Sequence, residues 1–219
     1  MKWWAILVSN VLWLVLVGGV LFSSAGRFDI LPFWEYLGGF AGLGLLSIPF
    51  VDPGLLKERM RPGGRRLDAR YLLLLGLVVV HWSVAGMDLG RYHWAPPIPT
   101  GLQLAGLAAF VLSFAGITWT MHVNRFFSTV VRIQTDRGHE LVTAGPYRGV
   151  RHPGYAFALV GGLSSGVALG SWLSALFAVI FLPLLFYRTV TEDAFLKKHL
   201  PGYGEYARRV PYRMIPGIW

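Results

Sequence analysis

The stretch YAFALVGGLSSGVALGSWLSALFAVIFLPLLFY, residues 155–187, contains no charged side chain. As one helix rising about 1.5 Å per residue it would run nearly 50 Å, against a bilayer hydrocarbon core of about 30 Å. Two clusters of small residues interrupt it, GGLSSG at 161–166 and GSW at 170–172. Glycine and serine clustered in this way mark places where the chain can turn, so the stretch reads as a tight helical hairpin rather than one long tilted helix.

Four further apolar blocks precede it: Trp3 to Phe22, Phe33 to Phe50, Tyr71 to Leu89, and Leu102 to Met121. Of the 219 residues, 54% are apolar and 14% charged, far from the balance of a soluble domain. Together these features predict an all-α integral membrane protein with about six membrane segments, the last two forming the hairpin. Lys2, the first apolar run and Ser23-Ser24-Ala25 loosely imitate a secretory signal. The run is too long for a signal core and is read as a spanning helix.

Placing both termini in the cytoplasm puts eighteen of the twenty Lys and Arg residues on the inner side, leaving Arg27 and Arg91 outside. That asymmetry is what the positive-inside rule requires. The net charge of +9 is therefore a topology signal, and nucleic-acid binding is not expected. The basic loop VDPGLLKERMRPGGRRLDAR, residues 51–70, reads as a topology determinant touching anionic lipid headgroups. No internal repeat divides the chain. Residues 1–121 carry membrane segments 1–4, and 122–219 carry a cytoplasmic loop, the hairpin and a cytoplasmic tail, all within one compact domain.

With no cysteine, thiolate catalysis, thiolate metal sites and disulfides are excluded. No HExxH pair, Walker loop or GxGxxG motif is present, and the Ser, His and Asp residues do not form a hydrolase nucleophile elbow, so metal, serine-hydrolase and ordinary nucleotide-binding chemistry lack support. A transporter would bury ionisable groups in mid-span, where this sequence offers chiefly His81. His81 is either a functional group or a neutral histidine bonded to a neighbouring helix.

The polar sequence collects on the inner side, in HVNRFFSTVVRIQTDRGHE (122–140), GHELVTAGPYRGVRHPGY (138–155) and RTVTEDAFLKKHLPGYGEYARRVPYRMIPGIW (188–219). Pro153 suits the first turn of a helix and biases His152 towards extended backbone, while AGPYRG puts Tyr147 at a bend. Residues 147–155 can therefore fold back as a lining loop. Arg188 and Glu192 stand four apart and share a helix face. They form either a structural ion pair or a pocket with a fixed cation and a fixed anion, over which Tyr203, Tyr206 and Tyr212 would close.

Over about residues 124–216, through GHELVTAGPYRGVRHPGY and the tail motif, the chain resembles the isoprenylcysteine carboxyl methyltransferase family and, more distantly, the phospholipid N-methyltransferases. The resemblance implies a multi-pass membrane methyltransferase that uses S-adenosylmethionine at a cytoplasmic-face site. It implies a cofactor pocket with His139, Leu141 and Val142 on the nucleoside side, and with Tyr147, Arg151, His152, Pro153, Tyr155 and Tyr206 around it. Glu192 would hold a polar end of the cofactor, and Arg188 would orient the acceptor carboxylate. The expected acceptor is a lipophilic or prenylated molecule of prenylcysteine type entering from the bilayer. Methylation of an amine headgroup, an NADPH-dependent sterol-type reductase and a non-catalytic lipid-binding protein are the competing readings.

Overall fold

The computed structural model describes residues 3–60 and 69–219, and among them every regular element is helical. The helices are α1 (Trp3–Ala25), α2 (Leu31–Ser47), α3 (Pro53–Met60), α4 (Ala69–Met87), α5 (Thr100–Val123), α6 (Pro153–Ala168), α7 (Trp172–Ala178), α8 (Phe181–His199) and α9 (Tyr203–Arg209). A π-helical turn, Asp88–Tyr92, extends α4, and short 3-10 turns occupy Thr135–Arg137 and Gly145–Arg148. Among the described residues, four stretches are long and apolar enough to cross a membrane: Leu7–Ala25, Leu72–Tyr92, Thr100–Val123 and Trp172–His199. They are the mark of an integral membrane protein. The apolar helices α2 and α6 are shorter, at 17 and 16 residues.

The hairpin is present, and of the two candidate turns the chain uses the second. GGLSSG stays inside α6, while α6 ends at Ala168 and Gly170 adopts φ +86° before α7 begins. That left-handed conformation strains any residue with a Cβ, so the reversal falls at Gly170. The Ser171 hydroxyl then donates to Asp88 Oδ2 at 2.6 Å, while Asp88 Oδ1 accepts the Ala95 amide at 3.3 Å. This buried carboxylate stitches the hairpin tip to the end of α4.

Helix α1 packs on α2 and α4, α2 on α5, and α5 along α6. The α5–α6 contact is close because small residues face it. A Cβ at Gly116 would lie 2.4 Å from the Phe157 ring, and one at Gly161 would lie 2.5 Å from Ser113 Oγ. Small residues at such positions let helix backbones approach where burial of apolar surface gives no drive towards association. In the upper core Tyr36 stacks on Phe110 with ring centroids 4.4 Å apart, and both are fully buried.

His81 resolves into the bonded alternative. Its Nδ1 lies 2.9 Å from Ser174 Oγ on α7 and its Nε2 lies 2.9 Å from Ser165 Oγ on α6. Ser165 Oγ is in turn 2.8 Å from the Tyr36 hydroxyl, which also accepts from Trp82 Nε1 at 3.4 Å. One imidazole thus ties three helices and leaves no ring nitrogen unpaired, as a buried polar group requires.

The described part of the basic loop packs against the protein. Its described part includes α3, capped by Asp52 Oδ1 accepting the Leu55 amide at 2.7 Å. Glu58 is buried and receives a two-pronged bond from Arg132, with Nε–Oε1 2.8 Å and Nη2–Oε2 2.9 Å. Arg59 Nη1 donates to the Phe127 carbonyl at 3.1 Å. Helix α3 therefore braces the 124–136 loop. The arginines of the loop's second half, at 61, 65 and 66, lie outside the described residues.

Candidate active site

Between α5 and α6 the chain leaves helical geometry for about thirty residues, and side chains organise it. Asn124 at the C-cap of α5 uses both ends of its amide, accepting the Phe126 amide at 2.9 Å and donating to the Tyr147 hydroxyl at 2.7 Å. Gln134, fully buried, donates to the Phe126 carbonyl at 2.7 Å. The His139 ring stacks on Phe126 at 4.6 Å and its Nδ1 accepts the Gln134 amide at 3.2 Å. Burial, then the Arg132 and Arg137 guanidiniums, lower the His139 pKa below its ordinary value of 6.5 and keep the ring neutral.

The tail folds back onto this loop. The Arg151 amide donates to the Tyr212 carbonyl at 3.0 Å and the His152 amide to Arg213 at 2.8 Å, a short backbone pairing between segments distant in sequence. The Tyr206 hydroxyl donates to the Tyr147 carbonyl at 2.7 Å. Burial pushes the Tyr147, Tyr203 and Tyr206 phenols above their ordinary range, so all three stay protonated donors.

Asp193 is the hub. Its buried carboxylate receives Arg151 Nε at 2.7 Å and Nη2 at 3.1 Å, Lys197 Nζ at 2.9 Å, Arg213 Nε at 3.2 Å and the Tyr203 hydroxyl at 3.0 Å, with His152 Nε2 at 3.4 Å. Burial works against the Arg151 charge, and Asp193 outweighs it and raises the pKa. The remaining Arg151 donor, Nη1, goes to the Val210 and Pro211 carbonyls at 2.7 and 2.8 Å. One carboxylate thus fixes the loop, α8, α9 and the tail together. Sequence reasoning passed it over in favour of its neighbour Glu192. The available signal was the four-residue spacing to Lys197.

Glu192 points the other way, into an open cleft between the loop, α6, α8 and α9. His139, Leu141, Val142, Tyr147, Arg151, His152, Tyr155, Glu192 and Tyr206 all line it. Asn124, Phe126, Phe127, Arg132, Gly154 and Leu196 also line it and were not singled out from sequence, and Tyr203, read from sequence as closing over the pocket, lines it too. Two expected residues do not. Pro153 opens α6 as its first helical residue and is buried behind Gly154, which takes the lining position against the Phe127 ring. Arg188 reaches a different cavity. Tyr212 contributes its carbonyl to Arg151 and does not close the cleft.

Arg188 and Glu192 do not form a direct ion pair. The Tyr155 hydroxyl stands between them, accepting from Arg188 Nε at 2.6 Å and donating to Glu192 Oε2 at 2.6 Å. Arg188 Nη2 also donates to the Thr129 carbonyl, and its guanidinium lies 5.7 Å over the Tyr155 ring. On the far side of this relay Arg188 lines a second, almost wholly apolar chamber, bounded chiefly by α4, α5, α6 and α8 with Trp13 of α1, Tyr36 and Phe40 of α2 and Ala178 of α7. The relay is the junction of a polar cleft and an apolar chamber.

The phospholipid methyltransferase family model matches residues 102–203, spanning the loop, the hairpin and most of the polar cleft. The chain is 33% identical over 154 residues to the cobalt-zinc-cadmium resistance protein CzcN of Cupriavidus metallidurans, covering 67% of this chain and 66% of that one. It is 30% identical over 160 residues to a probable protein-S-isoprenylcysteine O-methyltransferase of Oryza sativa, covering 68% of this chain and 81% of that one. The chain thus spans about two thirds of the first of these relatives. A solved structure of the eukaryotic intramembrane Ras methyltransferase ICMT superposes over 95% of this chain and 75% of its own with a TM-score of 0.61 at 17% identity, which shows a shared fold. The loop-and-tail architecture and the length matched in the Oryza relative agree: the chain belongs to the isoprenylcysteine carboxyl methyltransferase family.

Proposed function

We propose that the protein transfers a methyl group from S-adenosylmethionine to the carboxylate of a lipophilic, prenylcysteine-like acceptor. The observation that carries the reading is the meeting of a polar, aromatic cleft and an apolar chamber at one relay, Arg188–Tyr155–Glu192. A nucleoside-bearing cofactor and a lipid-tailed acceptor need two such compartments sharing a wall.

The cleft residues fit the cofactor. His139 with Leu141 and Val142 offers a flat, apolar flank for a nucleobase, and its neutral ring adds no charge there. Glu192 is the anion at the junction, suited to a cationic centre, and the Tyr147 and Tyr155 rings supply faces that attract a cation. Bound S-adenosylmethionine supplies an already activated sulfonium methyl, so a carboxylate acceptor needs no proton removed. The chain's task is then to position and to exclude water, an orientation effect that lowers barriers by up to about 7–11 kcal/mol. Arg188 would hold the acceptor carboxylate by charge-assisted hydrogen bonds, with Tyr155 fixing the guanidinium plane.

The charge asymmetry of the loops supports a six-segment topology with both termini and the cleft on the cytoplasmic face. The test is calorimetry of the detergent-purified protein with S-adenosylhomocysteine and, separately, NADPH, followed by radiolabelled methyl transfer to prenylcysteine analogues and lipid extracts. Binding of S-adenosylhomocysteine and a base-labile label are expected. Binding of NADPH alone rejects the reading, and a base-stable label moves the acceptor to an amine.

A further inference from the structure

The apolar chamber has a mouth and a floor of different chemistry. Arg188 stands at one end, and at the other the hydrogen-bonded set Tyr36, His81, Trp82 and Ser165 closes it. These floor groups are satisfied by one another. A chain pushed past them would leave buried donors and acceptors unpaired, so the floor is a stop rather than a soft wall.

One wall is a stripe of α6, in which Ala158, Gly162 and Ser165 follow one another on the same face and line the chamber. The glycines of α6 differ in what they tolerate. A Cβ at Gly161 would strike Ser113, and one at Gly166 would come within 2.1 Å of the Ala175 backbone nitrogen. At Gly162 an added Cβ meets nothing within 4 Å. Helix packing therefore requires the first two to be small and makes no such demand of Gly162. Its missing side chain is space inside the chamber.

Resting on the methyl-acceptor reading above, we propose that Gly162 and the Tyr36–His81–Ser165 floor set the length of the acceptor's tail: an unbranched or isoprenoid chain ending in a carboxylate, about twelve bonds deep. Along α6, Tyr155, which accepts the Arg188 bond at the mouth, lies ten residues from Ser165 in the floor, about 15 Å at helical rise. An extended chain advances roughly 1.2 Å per bond, as three backbone bonds do per residue, so twelve bonds, or three isoprene units, fill that depth. Ser165 lies three residues beyond Gly162, about 4.5 Å, which is close to one isoprene unit.

The test uses the full-length protein in detergent with N-acetylcysteine carrying geranyl, farnesyl or geranylgeranyl tails, and in parallel straight-chain fatty acids of 8 to 20 carbons read by thermal shift. For the wild type, methyl transfer is expected to favour farnesyl at least threefold in kcat/KM over both neighbours, with the fatty-acid shift levelling off near 12–14 carbons. Gly162→Leu should lower farnesyl kcat/KM at least tenfold, leave geranyl within threefold, and move the fatty-acid plateau about four carbons shorter. Ala158→Leu, one turn nearer the mouth, should shorten it further, and Gly162→Ala should give a smaller shift. Loss of all tails equally in Gly162→Leu, or an unmoved plateau, overturns the inference. A plateau that moves in a protein that methylates none of the cysteines supports the ruler and rejects the reaction. Transfer that ignores tail length does the reverse.

Discussion

Replacing Asp193 by Asn keeps the shape of the hub and removes its charge. The Arg151 guanidinium has 3% of its side chain exposed and donates two bonds to that carboxylate, so its charge would be left facing only neutral acceptors, the new amide oxygen and the Val210 and Pro211 carbonyls. Breaking a buried pair in this way costs about 3–5 kcal/mol. Lys197 and Arg213 are 42% and 30% exposed and can turn to water, so each adds at most about 1 kcal/mol. Apart from α8, the partners of Asp193 lie in the loop, α9 and the tail, so the loss should appear as local opening of the loop and tail. At 1.36 kcal/mol per decade, the Arg151 and His152 amides, which bond to Tyr212 and Arg213, should exchange with deuterium about two to four decades faster. The assay is hydrogen exchange by mass spectrometry on Asp193→Asn and, alongside it, Glu192→Gln. Wild-type protection at residues 151–152 in Asp193→Asn, or equal loss in Glu192→Gln, would refute the assignment of the hub to Asp193.

Further outcomes follow from the same geometry. Arg188→Gln should reduce methyl transfer at least a hundredfold while S-adenosylhomocysteine affinity, measured by calorimetry, stays within about threefold, because Arg188 lines the apolar chamber and not the cleft. The folded-state pKa of His139 is lowered, so loop stability from its neutral ring is present above the ordinary 6.5 and lost as pH falls through the lowered value. S-adenosylhomocysteine affinity should therefore fall as the pH is taken below the ordinary 6.5 and through the lowered value, and His139→Asn, which keeps an acceptor for the Gln134 amide, should flatten that profile. Glu58→Gln removes the charge opposite Arg132 and should cost about 1–3 kcal/mol of loop stability, read as faster exchange over residues 124–136 with α1 and α5 unchanged. His81→Leu leaves Ser165 bonded to Tyr36 and Ser174 to the His81 carbonyl, so its melting temperature should fall by only a few degrees, at about 1–2 kcal/mol.

Much of the cleft was legible because its residues fall in two polar segments set against apolar sequence. Nine of the eleven expected residues line it. Arg188 and Pro153 do not, for separate reasons. The direction of a side chain leaving a helix depends on its neighbours, and Tyr155, thirty-three residues away, turns Arg188 towards the chamber. Pro153 is recognisable as a helix starter, and the same property buries it behind the residue that lines the cleft. Asp193 escaped notice because three of its partners, Arg151, His152 and Arg213, are 42, 41 and 20 residues distant, and only the folded tail brings them together.

Hydropathy and the placement of Lys and Arg are sums over the sequence, and the bilayer reads them as sums. They were enough to determine helical class, the apolar blocks, the charge asymmetry and the existence of a hairpin. Which small-residue cluster turns the hairpin was decided by packing, since GGLSSG is held in α6 by close contacts with α5 and α7 while Gly170 is free to take a positive φ. The separation of Glu192 from Asp193, adjacent in sequence and facing different partners, was likewise a tertiary decision. Consecutive helical residues point about 100° apart, and only the surrounding helices determine that one faces a ring of cations and the other an open cleft.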